Sequence, residues 1–219
     1  NNNNEQVFIG SLAGANNISS SGSNAIGYSS MMSSSALLTN AFGWKSAENS
    51  LGDSNNFFGY ESGANNSGSQ VNSIGLYSAR NNTGNAVIAI GTSTAQNNNN
   101  SLVIGIGNAA VSNNSGIIVN AIGIQCAQNN TGNDVYVLGH QAAQYNTGNF
   151  VFGMGRNAVG NNTGSEVVAI GGFGTGSSNT GSLVNLIGTL AGDHNSGNDV
   201  MGIGQQSVEF NSGDHVLGF

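Results

Sequence analysis

The sequence predicts an all-β protein, an elongated β-solenoid (β-roll) of about fourteen sixteen-residue coils. Three observations carry this: an aliphatic-Gly step that recurs from end to end, a short apolar stretch before each step, and an Asn-rich turn after it. A glycine preceded by an apolar residue recurs in register at Gly10, Gly27, Gly43, Gly59, Gly75, Gly91, Gly107, Gly123, Gly139, Gly155, Gly171, Gly188 and Gly204. Ten of the twelve intervals are sixteen residues and two are seventeen. Residues 1–219 therefore read as one repeat array, less regular over 1–70, regular over 71–219, with a one-residue insertion near 172–178.

The strand is the four residues before each Gly. The residue next to the Gly is never polar: Ile90, Ile106, Ile122 and Leu138 are four successive examples. Three positions earlier runs a Val column, Val87, Val103, Val119 and Val135 among them, continuous from Val71 to Val216. Small residues such as Ala89, Gly105 and Ala121 lie between. β-Branched residues at this spacing suit a pleated surface. After the Gly come two variable and then two small positions, as in Ser78-Ala79 and Ala142-Ala143, which predict a second short strand. The turn follows, as in Asn81-Asn82-Thr83-Gly84 and Asn161-Asn162-Thr163-Gly164. Asn and Gly tolerate positive φ, and Asn, Ser and Thr side chains bond nearby backbone, so these residues close tight corners.

Side chains three apart on a strand face opposite ways, so the Val and Ile columns point to opposite faces. A strand apolar on both faces, as in Val135-Tyr136-Val137-Leu138, is the pattern of a sheet covered on both sides. One face is then expected inside the coil and the other against another chain, giving a parallel homo-oligomer, a trimer; a wider monomeric solenoid that folds both faces into one core is the alternative. The first four coils carry Gln6, Ser23, Thr39 and Asn55 in the Val column, so that end is looser, differently packed or in contact with something else.

Composition narrows the function. Only 6% of residues are charged, the formal charge is -7, and three Lys plus Arg offer no patch for phosphates, so nucleic acid is not an expected partner. Apolar residues make up 37%, enough for a folded chain. No apolar run approaches the length of about 18 residues that spans a bilayer, so no membrane insertion is expected in this segment. The chain starts without Met and ends in mid-repeat at Phe219, which reads as a fragment of a longer polypeptide.

Site chemistry is sparse, and neither an enzyme nor a bound cofactor is expected. Gly171 to Gly176 lacks the Lys and the helix start of a phosphate loop and reads as a bulged turn. His140, His194 and His215 fall in three different columns, which does not gather metal ligands. Asp193 and Glu209 share a column one coil apart, but beside a turn, where a solvated pair suffices. Cys126 occupies a small-residue column and reads as a buried space-filler. Just after the Gly, Tyr28, Trp44 and Tyr60 stand on three successive coils, with Tyr77 and Phe173 nearby. Such a row offers flat faces to sugar rings, or simply covers the coils.

The Asn-Ala-Ile-Gly steps (Asn24 to Gly27, Asn120 to Gly123) and the Asn-Asn-Thr-Gly-Asn turn (Asn129 to Asn133) resemble the head repeats of trimeric autotransporter adhesins. They resemble more closely the repeats of phage tail fibres and similar bacterial surface proteins. The resemblance implies a trimeric fibre shaft or adhesin segment, extracellular, on a virion tail or bacterial surface, that attaches to a cell-surface glycan or receptor. A self-assembling extracellular filament and an ice-binding solenoid are the alternatives; the Thr column of Thr83, Thr131, Thr147 and Thr163 is interrupted by Ser67, Ser115, Ser196 and Ser212.

Overall fold

The computed structural model describes residues 5–17 and 21–219, which form a parallel β-solenoid without any helix among them. The chain divides into two compact units, Asn1–Ser112 and Asn113–Phe219. The first unit holds β1 (Val7–Ile9), β2 (Asn24–Ile26), β3 (Asn40–Phe42), β4 (Asn56–Phe58), β5 (Val71–Ile74), β6 (Val87–Ile90) and β7 (Val103–Ile106). The second holds β8 (Val119–Ile122), β9 (Val135–Leu138), β10 (Val151–Arg156), β11 (Val167–Phe173), β12 (Val184–Ile187), β13 (Val200–Ile203) and β14 (Leu217–Gly218). Within each unit every strand pairs in parallel with the strand of the next coil, residue for equivalent residue: Val71 with Val87 and Ile74 with Ile90, Val135 with Val151 and Leu138 with Met154.

The two apolar columns part as their spacing predicts. Val87, Val103, Val119 and Val135 are fully buried inside their coils, whereas Ile90, Ile106, Ile122 and Leu138 are between 36% and 46% exposed on the outer sheet face. In the first coils Ser23, Thr39 and Asn55 occupy the inner column and are buried. They are differently packed rather than loose. The Ser23 hydroxyl donates to the Ala36 carbonyl at 3.3 Å, and Asn55 donates to the Gly52 and Gly68 carbonyls at 2.6 and 3.2 Å while accepting from the Val71 N–H at 2.8 Å. A buried polar group so partnered avoids the desolvation penalty of an unpaired one.

The expected second strand is instead a run of interlocked turns. Successive strand residues point to opposite faces, yet the two adjacent small positions both point inward: Ser78 and Ala79 are fully buried, as are Ala142 and Ala143. The backbone achieves this by placing alternate residues in the left-handed region, with Tyr77, Ala79 and Asn81 at φ 56°, 52° and 56°. Isolated left-handed residues cost about 1–2 kcal/mol each, and here intercoil hydrogen bonds hold them. The N–H groups of Tyr77 and Asn81 donate to the preceding coil (Tyr60 and Ala64 carbonyls, both 2.9 Å), and that of Ala79 donates to the following one (Thr94, 2.8 Å).

Glycine marks the points of closest approach between coils. In the aliphatic-Gly step the backbone lies at φ between +125° and +144° in every coil but that of Gly171, and at Gly123 and Gly139, for example, a Cβ would collide with the carbonyl of the matching Gly in the next coil. The Gly of the Asn-Thr-Gly turn meets the next coil's carbonyl in the same way, Gly132 against Gly148 for example.

The Asn of that turn builds a buried ladder. In the second unit Asn130, Asn146, Asn162, Asn179, Asn195 and Asn211 each donate to the Asn one coil earlier, at 2.8–3.0 Å. The other amide proton of Asn146 goes to the Gly148 carbonyl at 2.8 Å, so both donors are used inside the protein. The Thr between Asn and Gly faces solvent, as Thr131, Thr147 and Thr163 do.

Core volume is balanced across each coil. The small strand position and the second inward turn position face one another, and in several coils a large residue at one faces Gly at the other: Phe57 with Gly63, Leu186 with Gly192, Val159 with Gly153, Val208 with Gly202. A Cβ on Gly153 would stand 2.6 Å from Cγ2 of Val159 and 3.1 Å from Cγ1 of Val137. Gly153→Ala is therefore expected to destabilise the chain by about 1–3 kcal/mol through overpacking, and Val159→Ala in the same chain to recover most of the loss. Chaotrope unfolding of the single and double variants measures this; equal loss in both rejects the pairing.

The ladder yields a second expectation. Asn146→Ala leaves the Asn130 oxygen and the Asn162 amide without their partners and is expected to cost about 1–3 kcal/mol, against less than about 0.5 kcal/mol for the exposed neighbour Thr147→Ala. Similar melting temperatures for the two variants would contradict a stabilising ladder.

Candidate functional site

Tyr28, Trp44 and Tyr60 come together on one side of the first unit because each follows the Gly of its coil and the coils repeat in register. Tyr28 and Trp44 stack with centroids 6.1 Å apart and planes 13° from parallel, and Trp44 and Tyr60 at 4.5 Å and 11°. Tyr77 meets Tyr60 edge-on at 5.5 Å. Flanking them across the Gly column, Phe42 and Phe58 stack at 4.9 Å with planes 2° apart. Trp44 and Tyr60 thus close their facing rings on each other, while Tyr28, farther from Trp44, overlaps it less. One coil before Tyr28 the matching residue is Ser11, so the stack ends there.

Charge gathers on this stack. Lys45 lies 4.8 Å over the Trp44 ring and pairs with Glu48 at 3.4 Å; Arg80 lies 4.6 Å over the Tyr77 ring and pairs with Glu61 at 3.1 Å. Two of the chain's three Lys plus Arg residues are therefore spent here, each between a ring and a carboxylate. The Tyr60 phenol is held above its ordinary range, first by desolvation and then by the neighbouring Tyr77 and Glu61. The patch combines aromatic rings, tyrosine hydroxyls and two ion pairs.

The second candidate surface is the outer sheet face. In the first unit it carries Ile26, Phe58, Ile74, Ile88, Ile90, Ile104 and Ile106, and in the second Tyr136, Leu138, Phe152, Met154, Ile187, Met201 and Ile203, all exposed. Asn24, Asn40, Asn56 and Asn72 run down the same face of the first unit and bond to one another at 2.9, 2.9 and 2.8 Å. Nothing in the sequence separated this self-satisfied row from ordinary polar surface except its exact sixteen-residue repetition.

The remaining candidates stay apart. His194 pairs with Asp193 at 3.1 Å and stacks on Phe210 at 5.1 Å; His215 pairs with Asp199 at 3.1 Å. Glu209 accepts from Gln206 at 3.0 Å, so it and Asp193 each have their own partner. Among the described residues no three His, Cys, Asp or Glu are grouped to hold a metal ion, and no helix is long and apolar enough to cross a membrane. Gly171 and Gly172 lie within β11, while Gly174 and Gly176 sit at φ 66° and 63° in the turn after it. The Cys126 thiol is buried, donates weakly to the Val137 carbonyl at 3.6 Å, and is pushed up to about 12 by desolvation, which leaves it protonated and inert. It repeats the role of Ser30, Ser46 and Ser78, whose hydroxyls donate to the corresponding carbonyl of the next coil at 2.9, 3.2 and 3.0 Å.

Compared with known proteins, the chain matches no family model, no curated protein and no solved structure.

Proposed function

We propose that this chain is a self-associating solenoid segment of an extracellular fibre, on a phage tail or a bacterial surface, that takes part in attachment to a cell. The observation that carries the reading is the outer sheet face. From Val7 to Leu217 its outward strand positions hold apolar residues or Asn and never a charge, in a chain whose other surface columns carry Asp, Glu, Lys and Arg. Monomeric soluble proteins rarely expose continuous apolar patches beyond a few hundred Å². A second copy has the same coil rise, so its rows fall in step with these over the whole length of a unit. The Asn row of the first unit supports burial too, because its amides are bonded along the stack and need no partner from the other chain. Three parallel copies is the stoichiometry that the repeat resemblance implies.

Attachment is assigned to the Tyr28, Trp44 and Tyr60 stack with its flanking Lys45, Glu48, Glu61 and Arg80. Ring edges beside charged and hydroxyl donors suit a glycan, whose C–H surfaces and hydroxyls alternate on a similar scale. Sedimentation equilibrium of the isolated chain is expected to give a multiple of 22.0 kDa, and the emission of Trp44, the chain's single tryptophan, is expected to shift on titration with the glycans of a susceptible cell. A monomer at all concentrations rejects the fibre. Open-ended fibres in negative stain would favour the filament instead, and no response to any glycan, with Trp44→Ala binding cells as well as the unaltered chain, removes the attachment role.

A further inference from the structure

The outer sheet face of the second unit is bordered by opposite charges on its two sides. At the residue before the buried Val stand Asp134, Glu166 and Asp199; just after the Gly step stands the exposed Arg156, with His140 one coil earlier. These are the two ends of the same short strands, so the acids lie along one edge of the face, Asp199 paired there with His215 at 3.1 Å, and Arg156 lies along the other.

Each edge has structure of its own. Between Asp134 and Glu166 the matching position is Phe150, 61% exposed, which with Asp134, Tyr136, Val151 and Phe152 lines a shallow pocket open to solvent. Arg156 ends β10, at the far side of the strand from Phe150. The seventeen-residue coil shifts the register between Met154 and Arg156 so that Phe173 pairs alongside, and the guanidinium lies 5.4 Å over its ring. Lys45 and Arg80 have carboxylate partners; among the described residues Arg156 has a ring and no ion pair.

We propose that the second unit packs side by side against a second copy of this chain in parallel, with Arg156 of one copy seated between Asp134 and Glu166 of the next and over its Phe150. This rests on the parallel self-association proposed above and adds its contacts. Copies related by rotation about the stacking direction bring unlike edges together, acid against Arg, whether two or three copies close the ring. Copies related by a perpendicular axis run antiparallel and bring acid edge against acid edge, which like-charge repulsion disfavours. The heights agree as well. Arg156 and Phe150 belong to one coil, with Asp134 one coil before and Glu166 one coil after, each about 4.8 Å away along the stack. An in-register parallel copy therefore offers Arg156 either carboxylate without sliding, and a planar guanidinium both stacks on an aromatic face and bonds a carboxylate side-on.

Sedimentation equilibrium on the whole chain tests this. Arg156→Glu is expected to weaken self-association by about tenfold or more, Asp134→Arg with Glu166→Arg to do the same, and the three together to restore it. A monomeric unaltered chain removes the self-association reading itself, whereas an oligomer indifferent to Arg156→Glu overturns this pairing alone. A second variant, Arg156→Cys with Phe150→Cys, is independent of electrostatics. Its two cysteines sit at opposite ends of one strand, about 20 Å apart, too far to bridge within a chain, and Cys126 is buried. Covalent multimers on mild oxidation support the parallel pairing; none in an oligomeric preparation rejects it.

Discussion

Backbone hydrogen bonding between successive coils at one fixed spacing is the constraint from which the remaining features follow. Parallel strands a single β-spacing apart leave no room for a side chain where two coils turn at the same point, and that is where Gly stands, at the aliphatic-Gly step and at the Asn-Thr-Gly corner. The same spacing brings each residue under its equivalent, so an Asn finds an Asn and an aromatic ring finds a ring. The buried Asn ladder is the polar expression of this rule and the Tyr28, Trp44, Tyr60 stack the apolar one. A repeat protein of this kind is stabilised largely through its nearest-neighbour interfaces, which is why a regular period matters more than any single residue.

The core is small and is filled by compensation. An inner Val column is the only large apolar column enclosed by each regular coil, and the space between strand and turn run admits one bulky side chain at a time. Phe57 and Leu186 take it from the strand side, Val159 and Val208 from the turn side, each facing a Gly. Where Val is replaced by Ser23, Thr39 or Asn55, buried hydrogen bonds to backbone stand in, and Met31 and Phe57 supply apolar volume in the same part of the chain. The left-handed residues of the turn run belong to this economy of space, since they let two neighbouring small residues face inward together.

What the coils do not enclose lies on the outer face, and the arrangement of charge around it is ordered. The face itself is uncharged, ion pairs cluster on the aromatic stack of the first unit, and in the second unit acids and Arg156 take opposite edges. The fold needs none of this; solvent-exposed columns accept almost any residue. The proposed self-association rests on the partitioned face, and the proposed attachment on the aromatic stack with its mixed charges.

The sixteen-residue period, the strand position, the corner residues and the opposition of the Val and Ile columns were all legible in the sequence, because each depends on local geometry repeated in register. Which column faces inward was not legible, since Val and Ile are equally apolar and only the closure of the coil chooses between them. Two adjacent small residues suggested a second strand; a run of left-handed turns accommodates them because both must point into one narrow space. The candidate row of Tyr28, Trp44 and Tyr60 was visible by spacing, but ring orientation depends on distance between coils, and at 4.5 Å between Trp44 and Tyr60 the faces close on each other. The partnership of Arg156 with Phe173 required the register shift of the seventeen-residue coil, which sequence placed near a turn and tertiary structure placed within β11. Sequence alone determined the repeat, because periodicity is a property of the chain; the choice of inner face and the contacts between coils belong to the folded structure, because they depend on how one coil closes and lies on the next.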